Sequence, residues 1–191
     1  MLALDLSLSS TGWALFTNNK LAFSGSIQPP VKLSNDQKIY FIASAVKKML
    51  VKNQDVAVED TYFMRSRVTA FKELNRLAGA IIYLVEDITK KDICFYQAVK
   101  AREAVGLNTK ASKYDLQTWV IKKHFPDINI KKYEKEAIDI RKQYVTRKIT
   151  ESSYEYQLEK LSKHLGKDVG KTNDEADAII LGEAHIKIHT K

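Results

Sequence analysis

Four carboxylates in this sequence occupy positions where an acidic side chain could take part in a reaction or bind a metal ion. Asp5 lies within the apolar run LALDLSLSSTGWALF, and Glu59 ends a second apolar stretch, QDVAVED. Asp174 and Asp177 are three residues apart in NDEADAIILGEAH, so a helix there places both carboxylates on one face. A buried, unpaired carboxylate is costly, and it is commonly neutralised, paired or bound to a metal ion. Convergence of these residues would therefore create a metal site, although acidic residues at a helix start are also common as caps.

The ligand type narrows the chemistry of such a site. Four oxygen ligands favour Mg²⁺, with Mn²⁺ as a substitute, over zinc. Two such ions about 4 Å apart hold a phosphodiester in line for hydrolysis. His185 and His189, four residues apart, are other candidate ligands of a transition metal, but the sequence shows no third ligand beside them. The sequence has one cysteine, Cys94, which excludes a disulfide framework and a cysteine-based zinc site. Cys94 is interpreted as a small buried apolar residue.

The hydrophobic patterns predict an α/β order that positions the four carboxylates. MLALDLS, TGWALFT and LAFSGSIQ predict three antiparallel strands, and QDVAVED and KDICFYQA predict two more. Helical spacing follows a Ser34 cap and recurs over residues 67–88, 99–106, 109–125 and the C-terminal segment. If the first and fourth strands are neighbours, Asp5 and Glu59 project side by side. A helix packed across that face can then bring the two C-terminal aspartates to the same point.

Residues 127–170 form the least regular part of the pattern. This segment is dense in charge and tyrosine, and it is poor in any sustained apolar face, which predicts a basic helical insertion with a loop. One interpretation is a solvated surface elaboration, as charge runs usually are. The alternative is a surface that contacts DNA, with cations on phosphates and tyrosines on bases or sugars.

Composition sets the broad class of the protein. A chain of 191 residues with 45% hydrophobic and 28% charged residues is long enough for one sizeable core, so we expect a single domain over residues 1–191. A net charge of +8 favours a polyanionic partner. No stretch approaches the roughly 20 apolar residues of a membrane helix. We therefore expect a cytoplasmic protein with no membrane partner.

The order of these motifs resembles the RuvC family of Holliday junction resolvases, within the RNase H-like nuclease superfamily. LALDLSLSSTGWAL resembles the family's first strand and hairpin, including the pair Thr11 and Gly12, and VAVEDTYF its second acidic strand. CFYQAVKAREAVGLNTKASKYDLQ is similar to the strand and basic helix region, and NDEADAIILGEAH to the closing helix. The likeness spans roughly residues 1–125 and 171–187. It implies an RNase H-like five-stranded mixed sheet flanked by helices, with the charged helical insertion before the last helix.

The resemblance also implies roles for individual residues. Asp5, Glu59, Asp174 and Asp177 become catalytic ligands of two Mg²⁺ ions, and Lys113 a catalytic or DNA contact. Strand-end packing is the alternative for Tyr62, and a solvated helix face is the alternative for Lys113. The DNA-binding residues implied by the resemblance are Tyr62, Phe63, Arg65, Arg67, Lys100, Arg102, Lys110 and Lys113.

The function implied is a Mg²⁺-dependent endonuclease that acts as a homodimer and resolves four-way or branched DNA by paired nicks. Three features depart from the bacterial members: Leu6 and Ser7 replace a frequent Pro-Gly, Asp60 occupies a position that is commonly uncharged, and the interval before Asp174 is long. The compact chain suits a bacteriophage or viral member, for which the compartment is the host cell cytoplasm. Two alternatives stay open: another RNase H-like nuclease that cuts RNA/DNA hybrids, and a non-catalytic protein that binds branched DNA.

Overall fold

The computed structural model describes residues 1–60 and 68–190, so the predicted DNA contacts Tyr62, Phe63, Arg65 and Arg67 lie outside the described residues. Within them the chain forms five strands and seven helices. The strands are β1 Leu2–Asp5, β2 Thr11–Thr17, β3 Lys20–Ile27, β4 Val56–Glu59 and β5 Cys94–Tyr96. The helices are α1 Asn35–Lys47, α2 Val68–Thr89, α3 Ala98–Val105, α4 Lys113–His124, α5 Lys131–Val145, α6 Glu151–Val169 and α7 Asn173–His189. None of these helices is long and apolar enough to cross a membrane.

The strands form one mixed sheet in the order β3-β2-β1-β4-β5. β1, β2 and β3 pair antiparallel as a meander, whereas β4 runs parallel to both β1 and β5. The predicted five-stranded mixed sheet is therefore confirmed, and so is the predicted neighbourhood of the first and fourth strands. Leu4 pairs with Val58, so Asp5 and Glu59 follow at the adjacent carboxyl ends of two parallel strands.

Alternation along the strands assigns one apolar layer to each face of the sheet. Leu2 and Leu4 of β1, with Val56 and Val58 of β4, pack against α1 and α2 in one fully buried cluster. The intervening residues are small, and they pack with α3, α4 and α7 on the other face. Asp5 and Glu59 follow the alternation of these small residues, which directs both carboxylates to the face that α7 covers. The small residues are Ala3, Ala14 and Ala57.

Local sequence accounts for where the helices begin. Ser34 caps α1 as predicted, because its hydroxyl accepts from the Gln37 amide while the Gln37 side chain accepts from the Ser34 amide. α4 begins at Lys113, later than the predicted start at residue 109, because Ser112 and Asp115 form a second capping box. β5 is shorter than predicted, covering Cys94–Tyr96 of the apolar stretch from residue 91 to 98.

The segment from residue 127 to 170 contains α5 and α6, which pack against each other and against α4. The expectation that this segment is poor in any sustained apolar face is wrong. Tyr133, Ala137 and Ile140 recur at helical spacing on α5 and are buried with Leu158, Leu161 and Leu165 of α6. Charged residues fill most of the other positions of both helices. The average composition of the segment therefore does not indicate the apolar face. The boundaries of the domain and of the insertion stay predictions.

Candidate functional site

The four predicted carboxylates converge where β1 and β4 end and α7 begins. Asp5 and Glu59 are the last residues of their strands, and Asp174 and Asp177 lie in the first two turns of α7. The charges of Asp177, Glu59 and Asp174 all act on the Asp5 carboxyl, which therefore lies at the centre of the group. The structure thus gathers four acids that are up to 172 positions apart along the 191-residue chain (177 − 5).

Gly12 sets how closely α7 approaches the sheet. It pairs with Asp5 across the β1–β2 ladder. A Cβ atom added at Gly12 would overlap the backbone carbonyl of Asp174. The start of α7 therefore lies directly on the backbone of β2, beside the central carboxylate. Gly12 serves this contact by its lack of a side chain, which explains the predicted Thr11-Gly12 pair in physical terms.

A buried ion pair fixes the first turn of α7 and was not predicted from the sequence. Glu175 is 4% exposed, and its Oε1 accepts from Lys171 Nζ at 2.7 Å and from the Ser24 hydroxyl at 2.6 Å. Thr172 caps the helix by accepting from the Glu175 amide. Lys171 precedes the Thr172 cap, so its ion pair with Glu175 joins the residue before the cap to the first turn of the helix. The link to Ser24 on β3 depends on the fold and gave no signal in the sequence.

A second buried network ties the same turn to α4 and α6. The Gln117 amide donates to the Lys171 carbonyl at 2.7 Å. The Ser162 hydroxyl lies 2.8 Å from Gln117 Oε1 and 2.7 Å from Asn173 Oδ1. Since buried polar groups held by several partners resist displacement, α6 of the 127–170 segment takes part in positioning the helix that carries two of the acids.

Lys113 is the predicted basic residue that the structure places at the carboxylates. Its Nζ lies 3.9 Å from Asp177 Oδ2, and half of its side chain is exposed. It is the first residue of α4, where the Ser112–Asp115 capping box orders the backbone. Asp115 also forms an ion pair with Arg141 of α5. The position of Lys113 therefore depends on both the α4 cap and the 127–170 segment.

The remaining predicted basic residues occupy different surroundings. Arg102 acts electrostatically on Glu59 and Asp177, and its described hydrogen bond is to the Thr109 carbonyl. Lys100 pairs with Glu103 at 2.9 Å on the exposed face of α3, and no described contact joins it to the acids. Lys110 lines an open groove of about 610 Å³ together with Lys113 and with Tyr154 and Glu159 of α6. Arg102 thus acts on the acids by its charge, and Lys110 shares a groove with Lys113.

Burial and mutual repulsion raise the proton affinity of the acidic cluster. Burial, followed by repulsion from Asp177, raises the pKa of Glu59 to about 7. Burial and the charges of the other three acids raise the pKa of Asp5 well above its usual range. The pKa of Asp177 is also raised by burial, although Lys113 and Arg102 oppose the shift. Three of the acids thus have pKa values above those of exposed carboxyls, as expected where negative charges converge without matching cations.

The donor set fits divalent cations of the Mg²⁺ class. All four candidate ligands are carboxylates, and oxygen ligands are the ones that Mg²⁺ and Mn²⁺ prefer. Within the described residues, no three of these side chains bring carboxylate oxygens within 4.8 Å of one another, which is consistent with their repulsion. Cations bound among Asp5, Glu59, Asp174 and Asp177 would remove that repulsion.

The raised pKa values predict how pH acts on stability. Glu59 holds its proton more tightly in the folded chain, so its contribution is full below about pH 4.5 and is lost as pH rises through about 7. In EDTA we expect the melting temperature to fall by roughly 5 °C between pH 5 and pH 8. Mg²⁺ binds the ionised form, so it should stabilise most at the higher pH. Differential scanning fluorimetry checks this, and Glu59→Gln should flatten the fall; an equal fall in that variant would contradict the assignment.

The strand order and the position of α7 together define the fold. Five strands in the order β3-β2-β1-β4-β5, with α7 covering the face that carries the acids, form the RNase H-like fold, as predicted. No protein-family model matches the chain. No curated protein sequence matches it either.

Comparison with solved structures narrows the fold to that of RuvC. The chain is similar to Thermus thermophilus RuvC in complex with a Holliday junction substrate, with a TM-score of 0.60 and 12% sequence identity over 99% of this chain and 93% of that chain. A second Thermus thermophilus RuvC structure gives a TM-score of 0.57 and 12% identity, covering 100% of this chain and 96% of that one. The predicted resemblance is confirmed at the level of the fold, over nearly the whole length of both proteins.

Proposed function

We propose that this protein is a metal-dependent, structure-selective endonuclease that resolves four-way or branched DNA by paired nicks. The observation that carries the proposal is the convergence of Asp5, Glu59, Asp174 and Asp177 at one point of a RuvC-like fold. The solved neighbour with this fold was seen with a Holliday junction. Two nicks in opposing strands need two such sites, so we propose a homodimer, and we place its activity in the cytoplasm.

The proposed mechanism assigns each group a physical task. The four carboxylates would hold Mg²⁺, with Mn²⁺ as a substitute and two ions per site, and such ions supply the positive charge that polarises a phosphodiester and activates water. Lys113, 3.9 Å from Asp177 and half exposed, would contact the scissile phosphate and stabilise charge that develops on it. Arg102 acts electrostatically on Glu59 and Asp177 and would add charge stabilisation from α3.

The groove beside Lys113 offers two cations and an aromatic ring to an incoming strand. Lys110, Lys113 and Tyr154 line it. Three carboxylates line it as well, of which Asp115 is paired with Arg141 and Glu159 with Lys163, whereas Glu155 adds a negative charge. Cations that contact phosphates and rings that stack on bases are the usual means of binding single-stranded or splayed DNA. The implied contacts Tyr62, Phe63, Arg65 and Arg67 follow Glu59 directly in sequence, and their roles remain part of the proposal.

Cleavage of an end-labelled synthetic four-way junction tests the proposal. The junction would be compared with linear duplex and with an RNA/DNA hybrid, in Mg²⁺ and in EDTA, for the wild type and Asp177→Asn. Paired nicks near the crossover that require both Mg²⁺ and Asp177 would support a resolvase. Cleavage of the hybrid alone would favour a ribonuclease, and tight binding without cleavage would favour a non-catalytic branched-DNA-binding protein.

The turn between α5 and α6 provides a test of the 127–170 segment. Tyr144, near the end of α5, stacks on Tyr154 at 4.5 Å, and Tyr154 lines the groove with Lys113. Cations of the exposed turn therefore lie at the groove end of the helix pair. We expect the triple variant Lys142→Gln, Arg147→Gln, Lys148→Gln to bind a four-way junction more weakly and to lower the log–log salt slope by about 2 to 3.

The matched control neutralises three exposed lysines on the opposite side of the sheet. Fluorescence anisotropy at several salt concentrations would measure both triple variants against the wild type. The control should keep the wild-type salt slope, and an unchanged slope in the turn variant would favour the solvated-surface interpretation of the 127–170 segment. The control substitutions are Lys47→Gln, Lys48→Gln and Lys52→Gln.

A further inference from the structure

A second group of potential metal ligands lies at the other end of α7. Cys94, at the start of β5, meets His185 and His189 in the last turns of the helix, and one ligand atom from each lies within 4.8 Å of the others. Among the described residues, 1–60 and 68–190, it is the only group of three or more Cys, His, Asp or Glu side chains whose ligand atoms lie this close together. The structure thus brings a third candidate ligand, the partly exposed Cys94, to the histidine pair, where the sequence showed none.

The types of these ligands point to a different ion from that of the acidic cluster. One thiolate and two imidazoles are soft and intermediate ligands, which favour zinc over magnesium. Histidines four residues apart on a helix lie on one face, one turn apart. We propose that Cys94, His185 and His189 form a site for a zinc-class transition metal ion, which cross-links the end of α7 to β5.

The surroundings hold the two imidazoles ready for such a ligand. The Tyr96 hydroxyl oxygen lies 3.0 Å from His185 Nδ1 and 3.0 Å from His189 Nε2. The two imidazole rings lie 4.5 Å apart between their centroids. His185 is buried, whereas His189 is exposed and Cys94 is partly exposed, so an ion can enter from solvent. An ion bound to these two nitrogens would displace the Tyr96 hydroxyl from between them.

The charges around the group are mixed. The Asp55 carboxylate acts electrostatically on both Cys94 and His185. Lys91, whose Nζ lies 2.6 Å from Asp55 Oδ1, opposes it at both residues, and the N-terminal ammonium opposes it at His185. A thiolate formed at Cys94 would add a second negative charge, and a divalent ion neutralises it directly.

The site has a mechanical consequence for the sheet edge. β5 has three residues, Cys94–Tyr96, and it pairs with β4 at one edge of the sheet. α7 begins at the acidic cluster and ends at this group, and Asp177 and His185 are separated by about 12 Å of helix rise. An ion at Cys94, His185 and His189 would therefore fasten the short edge strand to the helix that carries two of the four acids.

Cobalt(II) is a suitable probe because its absorption reports thiolate ligation. Co²⁺ would be added to the chelator-treated, full-length chain and followed by absorption spectroscopy. We expect one equivalent to produce a thiolate-to-cobalt charge-transfer band that Zn²⁺ then removes. Cys94→Ser should abolish the band. Asp177→Asn, in the acidic cluster, and His164→Gln, at an exposed histidine of α6, should retain it.

Affinity and stability give a second measurement that does not depend on nuclease activity. His189 is exposed, so His189→Gln should fold normally while weakening Zn²⁺ binding by more than about tenfold in competition with a chelating dye. Zn²⁺ should raise the melting temperature of the wild type and of Asp177→Asn, but not that of Cys94→Ser. Absence of the charge-transfer band, or Zn²⁺ affinity unchanged in both Cys94→Ser and His189→Gln, would overturn the proposal and leave a hydrogen-bonded cluster around Tyr96.

Discussion

Asp5→Asn is expected to reduce Mg²⁺-dependent cleavage of a four-way junction by at least about a thousandfold, a loss of roughly 4 kcal/mol of transition-state stabilisation. Asp5 lies at the centre of the acidic cluster, where the charges of Asp177, Glu59 and Asp174 all act on it. An amide keeps the size of the side chain but removes its negative charge and one strong ligand oxygen. The loss of activity should therefore come from weaker cation binding, with the fold retained.

The same substitution should leave junction binding equal to that of the wild type or tighter. One fewer negative charge lowers the repulsion between the site and the phosphate backbone. Single-turnover cleavage in Mg²⁺, with fluorescence anisotropy in EDTA, would measure the two effects separately. Asp127→Asn makes the same chemical change at an exposed loop position and should cleave normally. Full cleavage by Asp5→Asn would remove Asp5 from the catalytic ligands.

Removing the charge should also stabilise the metal-free chain at neutral pH. The pKa of Asp5 is raised well above its usual range by burial and by the neighbouring acids, so ionising it costs folding free energy. Asn at this position has no such cost. A higher melting temperature in EDTA, combined with lost cleavage, would distinguish a damaged site from a damaged fold.

The positions of the acids were predictable because they rest on short-range patterns. In the sequence, Asp5 lies within one apolar run, and Glu59 and Asp60 end another. The strand period of two places Asp5 on the same face as Ala3, and Glu59 on the same face as Ala57. The spacing of Asp174 and Asp177 needed only a helix. Because β1 and β4 pair in parallel, Asp5 and Glu59 then lie at the same end of the sheet.

Contacts between distant parts of the chain were beyond the reach of such patterns. The bond from Ser24 to Glu175 joins residues 151 positions apart, and that between Tyr96 and His185 joins residues 89 apart. Neither residue of such a pair is unusual in its own segment, since serine suits a strand and glutamate suits the first turn of a helix. Their partnership is a property of the packed fold. The proximity of Cys94 to the two histidines also depends on the packed fold, so the sequence did not predict it.

The 127–170 segment illustrates a different limit. Its apolar positions are few in each turn, and tyrosine and alanine supply part of the apolar face of α5. The structure shows that this face is covered by α4 and α6, so the charge runs mark only the outer sides of the helices. Average composition detected the charges, whereas the burial of the segment depended on which residues share a face.

The second large effect is expected from Gly12→Ala, a change of one methyl group. A Cβ at this position overlaps the Asp174 carbonyl, and a backbone group held by the buried pair Lys171–Glu175 cannot yield as a flexible side chain would. Gly12 does not have a positive φ, so the requirement for glycine here is one of space and not of backbone conformation. We expect destabilisation of about 1–3 kcal/mol, as for other overpacked cores.

The larger consequence of Gly12→Ala should be catalytic, because α7 carries Asp174 and Asp177 while β1 carries Asp5. Moving the start of α7 away from β2 by even 1 Å widens the acidic cluster, and a displacement of that size can cost about a hundredfold in rate. Junction cleavage and thermal melting, with and without Mg²⁺, would measure this. Gly79 is exposed on α2, and outside the backbone of that helix no atom of the described residues lies within 4 Å of an added Cβ. Gly79→Ala should cleave normally and gain about 1 kcal/mol of helix stability. If Gly12→Ala matched it in both measurements, the close contact between β2 and α7 would not position the acids.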